Sequence, residues 1–88
     1  MLTLDGLDEA IIGVGGHLGG PQLVMYDADK IIRVLMDQHE FTRDDAVEWL
    51  EINVKGAYMG EHTPIVVETP ETMGAENVHE MLEAVFGE

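Results

Sequence analysis

The sequence predicts an α+β fold: a single compact domain over residues 1–88, in the order α-β-α-α-β-α, with four helices and a small two-stranded sheet. Three observations predict it. Apolar residues recur at helical spacing in four separate segments. Two short runs that read as strands, "QLVMY" and the β-branched-rich "TPIVVE", interrupt them. Capping residues and glycine or proline stops stand at the joints. A chain of 88 residues allows only a small core, so dimerisation is an expected source of further stability.

The first helix is expected to be capped by Asp5, with Leu7, Ala10, Ile11, Val14 and Leu18 on one face and Asp8 and Glu9 in its first turn. Gly19, Gly20 and Pro21 stop it, and Gln22–Tyr26 reads as a strand. Asp27 caps the second helix, which turns Ala28, Ile31, Ile32 and Leu35 inward and pairs Asp29 with Arg33 before fading near Gln38–Glu40. Thr42 opens the third, with Asp45 in the capping-box position. Its inner stripe is Val47, Leu50 and Val54, widened by Ala46 and Trp49, and Gly56 or Gly60 ends it. Thr63–Glu68 is the second strand. Thr69 and Pro70 then start a last helix, weakened at Gly74 and begun in earnest at Ala75. Val78, Met81, Leu82 and Val85 form its buried side.

The segment "IIGVGGHLGGP", Ile11–Pro21, holds five glycines in eleven residues and invites comparison with a phosphate-binding loop. A dinucleotide loop needs G-x-G-x-x-G between a strand and a helix, but Leu18 stands at the third glycine position. No lysine followed by serine or threonine completes a phosphate loop either. The expected reading is helix, with Gly13 and Gly16 placed where another backbone comes close.

Charge is the strongest compositional fact. Eighteen acids oppose four bases, for a net charge of −14. Lys30, Arg33, Arg43 and Lys55 are the only lysines and arginines, so residues 1–29 and 56–88 contain none. Such a surface repels nucleic-acid phosphates, which argues against direct nucleic-acid binding. No apolar run is long enough to span a bilayer and no basic residue precedes the first one, so no membrane association and a cytoplasmic setting are expected.

Motifs for chemistry are sparse. Cysteine and serine are absent, and His17, His39, His62 and His79 have no metal-ligand spacing, so no metal, cofactor or catalytic residue is assigned. The "DAD" at Asp27–Asp29 lacks the later glycine and glutamate of a calcium loop. Two acidic rows recur at i, i+4, i+7: Asp44, Glu48 and Glu51, then Glu76, Glu80 and Glu83. Each sets carboxylates about 5–6 Å apart along a helix face. A solvated helix face, adaptation to salt, and imitation of a phosphate row each account for them. The second row has no base anywhere near it in sequence, which favours recognition of a basic partner over stability alone. Asn53, Tyr58, Glu61 and His62 form a separate candidate pocket.

Several segments resemble a family of small bacteriophage-encoded proteins. They are Asp8, Ala10, Ile11 and Gly13; then Tyr26, Asp27, Lys30, Ile32, Leu35 and Met36; then Glu48, Glu51, Asn53, Gly56, Ala57, Gly60, Glu61, Thr63 and Pro64. The resemblance covers about residues 5–67 and leaves out the Glu76/Glu80/Glu83 row. It implies a phage origin and a host-cell cytoplasmic setting, and no particular reaction. The resulting expectation is a non-enzymatic, homodimeric interaction protein that binds a host or phage protein. Its sharper form is inhibition of a basic, nucleic-acid-binding target by charge mimicry. A small enzyme or ligand-binding module around Tyr58–His62, or an assembly factor, is the alternative.

Overall fold

A computed structural model describes residues 2–55 and 60–87 of the chain. The class is α+β, as expected, but the sheet has three strands and the first helix is absent. A 3-10 turn at Asp8–Ala10 leads directly into strand β1, Ile11–Gly15. Strand β2 is Leu23–Asp27 and β3 is Ile65–Val67. The order across the sheet is β1-β2-β3, with β1 antiparallel and β3 parallel to β2. The parallel pair is joined through helices α1 (Ala28–His39) and α2 (Arg43–Leu50) and a π-helical turn over Glu51–Lys55.

The physical reason for the missing helix lies in "IIGVG". Each interior glycine costs a helix about 1 kcal/mol relative to alanine, and β-branched neighbours add to that. As a strand, the same residues alternate bulky and bare. Ile11 pairs with Tyr26, Gly13 with Met25 and Gly15 with Leu23, and the register slips between Ile11 and Gly13 to leave Ile12 as a bulge. A methyl group on Gly15 would lie 2.5 Å from the Met25 sulfur, so the glycine makes room for that side chain. Leu7 and Ala10 are buried as the helical spacing implied, but Ile11, Val14 and Leu18 are exposed. Gly16 is a close-approach site, since a Cβ there would meet the Pro21 carbonyl oxygen at 2.4 Å. Gly13 is not one, having open space where its side chain would be.

The next elements follow their sequence signals. The Asp27 carboxylate accepts a hydrogen bond from the Asp29 amide at 3.3 Å and starts α1. Ala28, Ile31, Ile32, Val34 and Leu35 are buried along it. Asp29 pairs with Arg33 at 2.9 Å and also takes Arg43 of α2 at 3.2 Å, bridging the two helices. The Thr42 hydroxyl accepts from the Asp45 amide at 3.2 Å at the start of α2. Ala46, Leu50 and Val54 are buried, Trp49 packs at the core's edge, and Val47 is exposed rather than inward. Gly56, an expected helix stop, lies outside the described residues.

The last expected helix is two. Thr69 caps α3, Pro70–Met73, which Gly74 ends at φ 73°. Asn77 then caps α4, Val78–Phe86. A left-handed glycine directly after the first turn closes one helix, so a fresh cap is needed for the next.

Helices and sheet form a plate of 38 × 36 × 20 Å with a radius of gyration of 13.7 Å. A compact chain of this length would have about 12 Å. The core lies between α1, α2 and the inner face of the sheet, where Val24 and Tyr26 point. Tyr26 is fully buried, and its hydroxyl oxygen accepts a hydrogen bond from the Leu4 amide at 2.8 Å. The opposite face carries Gly13, Gly15, Leu23, Met25 and Ile65, none of them buried.

Replacing Ile31 with alanine should lower unfolding stability by about 2–5 kcal/mol. Tyr26→Phe, which strands the Leu4 amide, should cost about 1 kcal/mol. Urea denaturation followed by circular dichroism measures both, and a smaller loss for Ile31→Ala than for Tyr26→Phe would contradict this core.

Candidate functional site

Two surfaces hold apolar groups that the core does not use. The first is α4. Its amphipathic spacing is as expected, but the apolar side is not buried: Val78 is 54 % exposed, Leu82 40 %, Val85 55 % and Phe86 68 %, with Met81 half-buried. The spacing defines a stripe and leaves open whether this chain has anything to place against it. The main neighbour of α4 is the short helix α3, which itself has no buried residue.

The second acidic row lies on the other side of α4: at about 100° per residue, Glu80 and Glu83 point away from Val78, Leu82 and Val85. Glu76, Glu80 and Glu83 are all exposed. Glu80 is also structural. Its amide donates to the Asn77 side-chain oxygen at 2.9 Å, and its carboxylate accepts from the Glu76 amide at 3.0 Å. This reciprocal capping places a negative charge at the positive end of the helix, so part of the row's repulsion is offset. Asp44, Glu48 and Glu51 of the first row are exposed too, along α2 and the π turn.

The second surface lies where the N-terminal ends of parallel β2 and β3 meet. The chain enters β2 from the glycine loop and β3 from the turn after Gly60. That turn is tied by the Thr63 hydroxyl, which donates to the Gly60 carbonyl at 2.6 Å, with Gly60 at φ 94°. The glycine loop is tied by the Gly20 amide, which donates to the His17 carbonyl at 3.0 Å, and Gly19 at φ 81° gives the geometry of a type II turn. Between the two turns is a concavity of about 590 Å³. Leu23 and Ile65 floor it, Gly16, Gly20 and Pro21 wall it, and His17 and Glu61 supply its polar groups. A smaller groove of about 230 Å³ between the helices includes Val47, which explains that residue's partial exposure.

The four residues of the pocket read from sequence do not all meet. Tyr58 lies outside the described residues. Asn53 is exposed, and its side-chain amide donates to the Trp49 carbonyl at 3.2 Å, a helix-end role. His62 is exposed and does not line the concavity, whereas Glu61 does. The missing partner was His17, from the glycine stretch. The loop that carries His17 meets the Gly60–Thr63 turn only through the parallel pairing of β2 with β3, which no local signal in the sequence announces. Among the described residues no group of histidines and acids has the arrangement of a metal site. No helix among them is long and apolar enough to cross a membrane.

No family model, characterised protein or solved structure matches the chain. What the fold and surface define is therefore a class by physical character: a small acidic α+β protein with one unpacked apolar helix and one apolar concavity.

If α4 is unpacked, Leu82→Ala should change stability by less than about 0.5 kcal/mol. Asn77→Ala should weaken the helix by about 1 kcal/mol. Hydrogen exchange should register the second change as faster exchange confined to residues 80–86, with the urea midpoint unmoved. A Leu82→Ala loss as large as that of Ile31→Ala would mean that α4 belongs to the core.

Proposed function

We propose that this is a non-enzymatic interaction protein of phage origin that binds a basic protein through α4. The observation that carries the reading is a nine-residue helix with no buried residue, four large apolar side chains exposed on one side and carboxylates on the other. Exposed apolar stripes of this kind mark contact surfaces. Charge chooses the occupant. Residues 56–88 contain seven acids and no lysine or arginine, so a second copy would bring like charge against like. A groove with an apolar floor for the stripe and lysine or arginine on rims that reach round to the far-side carboxylates matches both features. Proteins that bind nucleic acid present such basic surfaces, and the exposed rows on α2 and α4 imitate the charge spacing their ligand offers. Inhibition of such a target by occupation of its binding face follows.

The test immobilises the protein, captures proteins from bacterial lysate at about 50 mM salt, and elutes with duplex DNA. Basic, DNA-binding proteins should elute, and capture should fall about tenfold with Glu76→Gln/Glu80→Gln/Glu83→Gln, in which glutamine can still cap. Leu82→Ser/Val85→Ser should abolish it. Capture that survives the triple change, or that DNA does not release, overturns mimicry. Sedimentation showing a dimer broken by the double change would make the occupant a second copy, and the basic-partner reading would fall.

A further inference from the structure

We propose that the concavity at the glycine hairpin binds a small amphipathic amine, with an apolar ring or chain against Leu23 and Ile65 and a protonated nitrogen on Glu61. This stands apart from the α4 surface and does not depend on it.

The volume, about 590 Å³, falls in the range of small-molecule sites, roughly 300–1,000 Å³. Its composition is also that of such sites: an apolar floor and walls with a few polar groups at defined places. The floor is the part of the sheet's outer face that no helix covers. The walls are shaped by local contacts. Gly16 is held against the Pro21 carbonyl, where no other residue fits, and the His17–Gly20 turn is closed by its own hydrogen bond. Gly60 and Thr63 fix the opposite wall and carry Glu61 beside it. The two turns form from separate parts of the chain and are brought together by the parallel pairing of β2 with β3.

Charge sets the ligand's sign. Every described residue lining the site comes from residues 16–23 or 61–65, segments without a lysine or arginine. Glu61 is a carboxylate that can only accept hydrogen bonds, in a chain of net charge −14. A phosphate or carboxylate is repelled here although the loop is rich in glycine. An ammonium group is attracted, and a charge-assisted hydrogen bond to Glu61 is worth more than a neutral one. A bulky apolar body is needed as well, because a bare cation would leave Leu23, Pro21 and Ile65 wet. The glycines thus serve to bare the backbone and admit a flat apolar group, not to cradle an anion.

The experiment is a two-dimensional NMR titration of ¹⁵N-labelled protein at pH 7 and low salt. Three probes of one shape are used: 2-phenylethylamine, 2-phenylethanol and 3-phenylpropionate. The amine should give saturable shifts at the Gly16, Gly20, Leu23 and Ile65 amides, bind about tenfold more tightly than the alcohol, and leave the carboxylate without saturable shifts. In Glu61→Gln the amine and alcohol should become equal, while the spectrum elsewhere reports an intact fold. Leu23→Ala should weaken amine and alcohol alike. Equal binding of amine and alcohol to the unaltered protein, an amine preference that persists in Glu61→Gln, or no saturable shift at these amides overturns the proposal.

Discussion

The junction Asp27-Ala28 fixes how everything else is arranged. Strand β2 ends and α1 begins there without a loop, because the Asp27 backbone is still extended while its carboxylate already caps the helix. The direct joint folds α1 back over β2, so that Tyr26 and Ile31, Ile32 and Leu35 close on one another as the largest fully buried side chains. Burying each such residue contributes about 1.5–3 kcal/mol, a large share of what a small domain can gather. Asp29 then draws in α2 through Arg43, and α2 carries the chain toward a strand parallel to β2. β1 is free to pair antiparallel on the other edge. Both edge strands take their register from this central one.

That arrangement spends most of the chain's apolar capacity on one face of the sheet. Its inner face is packed at Val24, Tyr26 and Val66 but not along β1, where Val14 stays 65 % exposed, and its outer face is open. The cost falls on the outer residues: Leu23, Met25 and Ile65 remain partly wet, and the glycines opposite them reduce the exposed area by offering no side chain. α4 packs mainly on the short helix α3, so its apolar stripe stays outside. The unpacked surfaces are thus two outcomes of one constraint, a core too small to employ all the hydrophobic residues that the composition supplies.

Where local chemistry decided structure, the sequence was legible. Asp27, Thr42 and Thr69 each cap the helix that their neighbours announce, and Asn53 meets a helix-end carbonyl as its chemistry suggests. The Leu7–Leu18 pattern misled because two periods overlap in it. Its spacing of three and four fits a helix, while Ile12-Gly13-Val14-Gly15 fits a strand, and only a pairing partner distant in sequence decides between them. Leu23–Asp27 is that partner. The α4 stripe was read correctly as amphipathic but assigned to the core, since amphipathicity says which side avoids water and not what shields it. The site followed the same division. Glu61 stands in a turn whose glycine and proline are legible locally, whereas His17 comes to the same concavity only through strands paired at long range in sequence.

The distribution of charge ties the two surfaces together while keeping them distinct. All four bases fall in residues 30–55, and two of them, Arg33 and Arg43, converge on the Asp29 carboxylate. Asp29 offsets one of their two charges at a solvent-exposed pair of contacts, and the segments on either side remain uniformly acidic. Both α4 and the hairpin concavity lie in those acidic segments, so each favours a cationic visitor. They differ in geometry. Along α4 several carboxylates act over an extended face, and attraction there should weaken steeply as salt screens them. At the concavity a single carboxylate sits beside an apolar hollow, so contact area carries most of the interaction and salt matters less. One field thus serves two kinds of recognition, separated by how much apolar surface each places next to its charge.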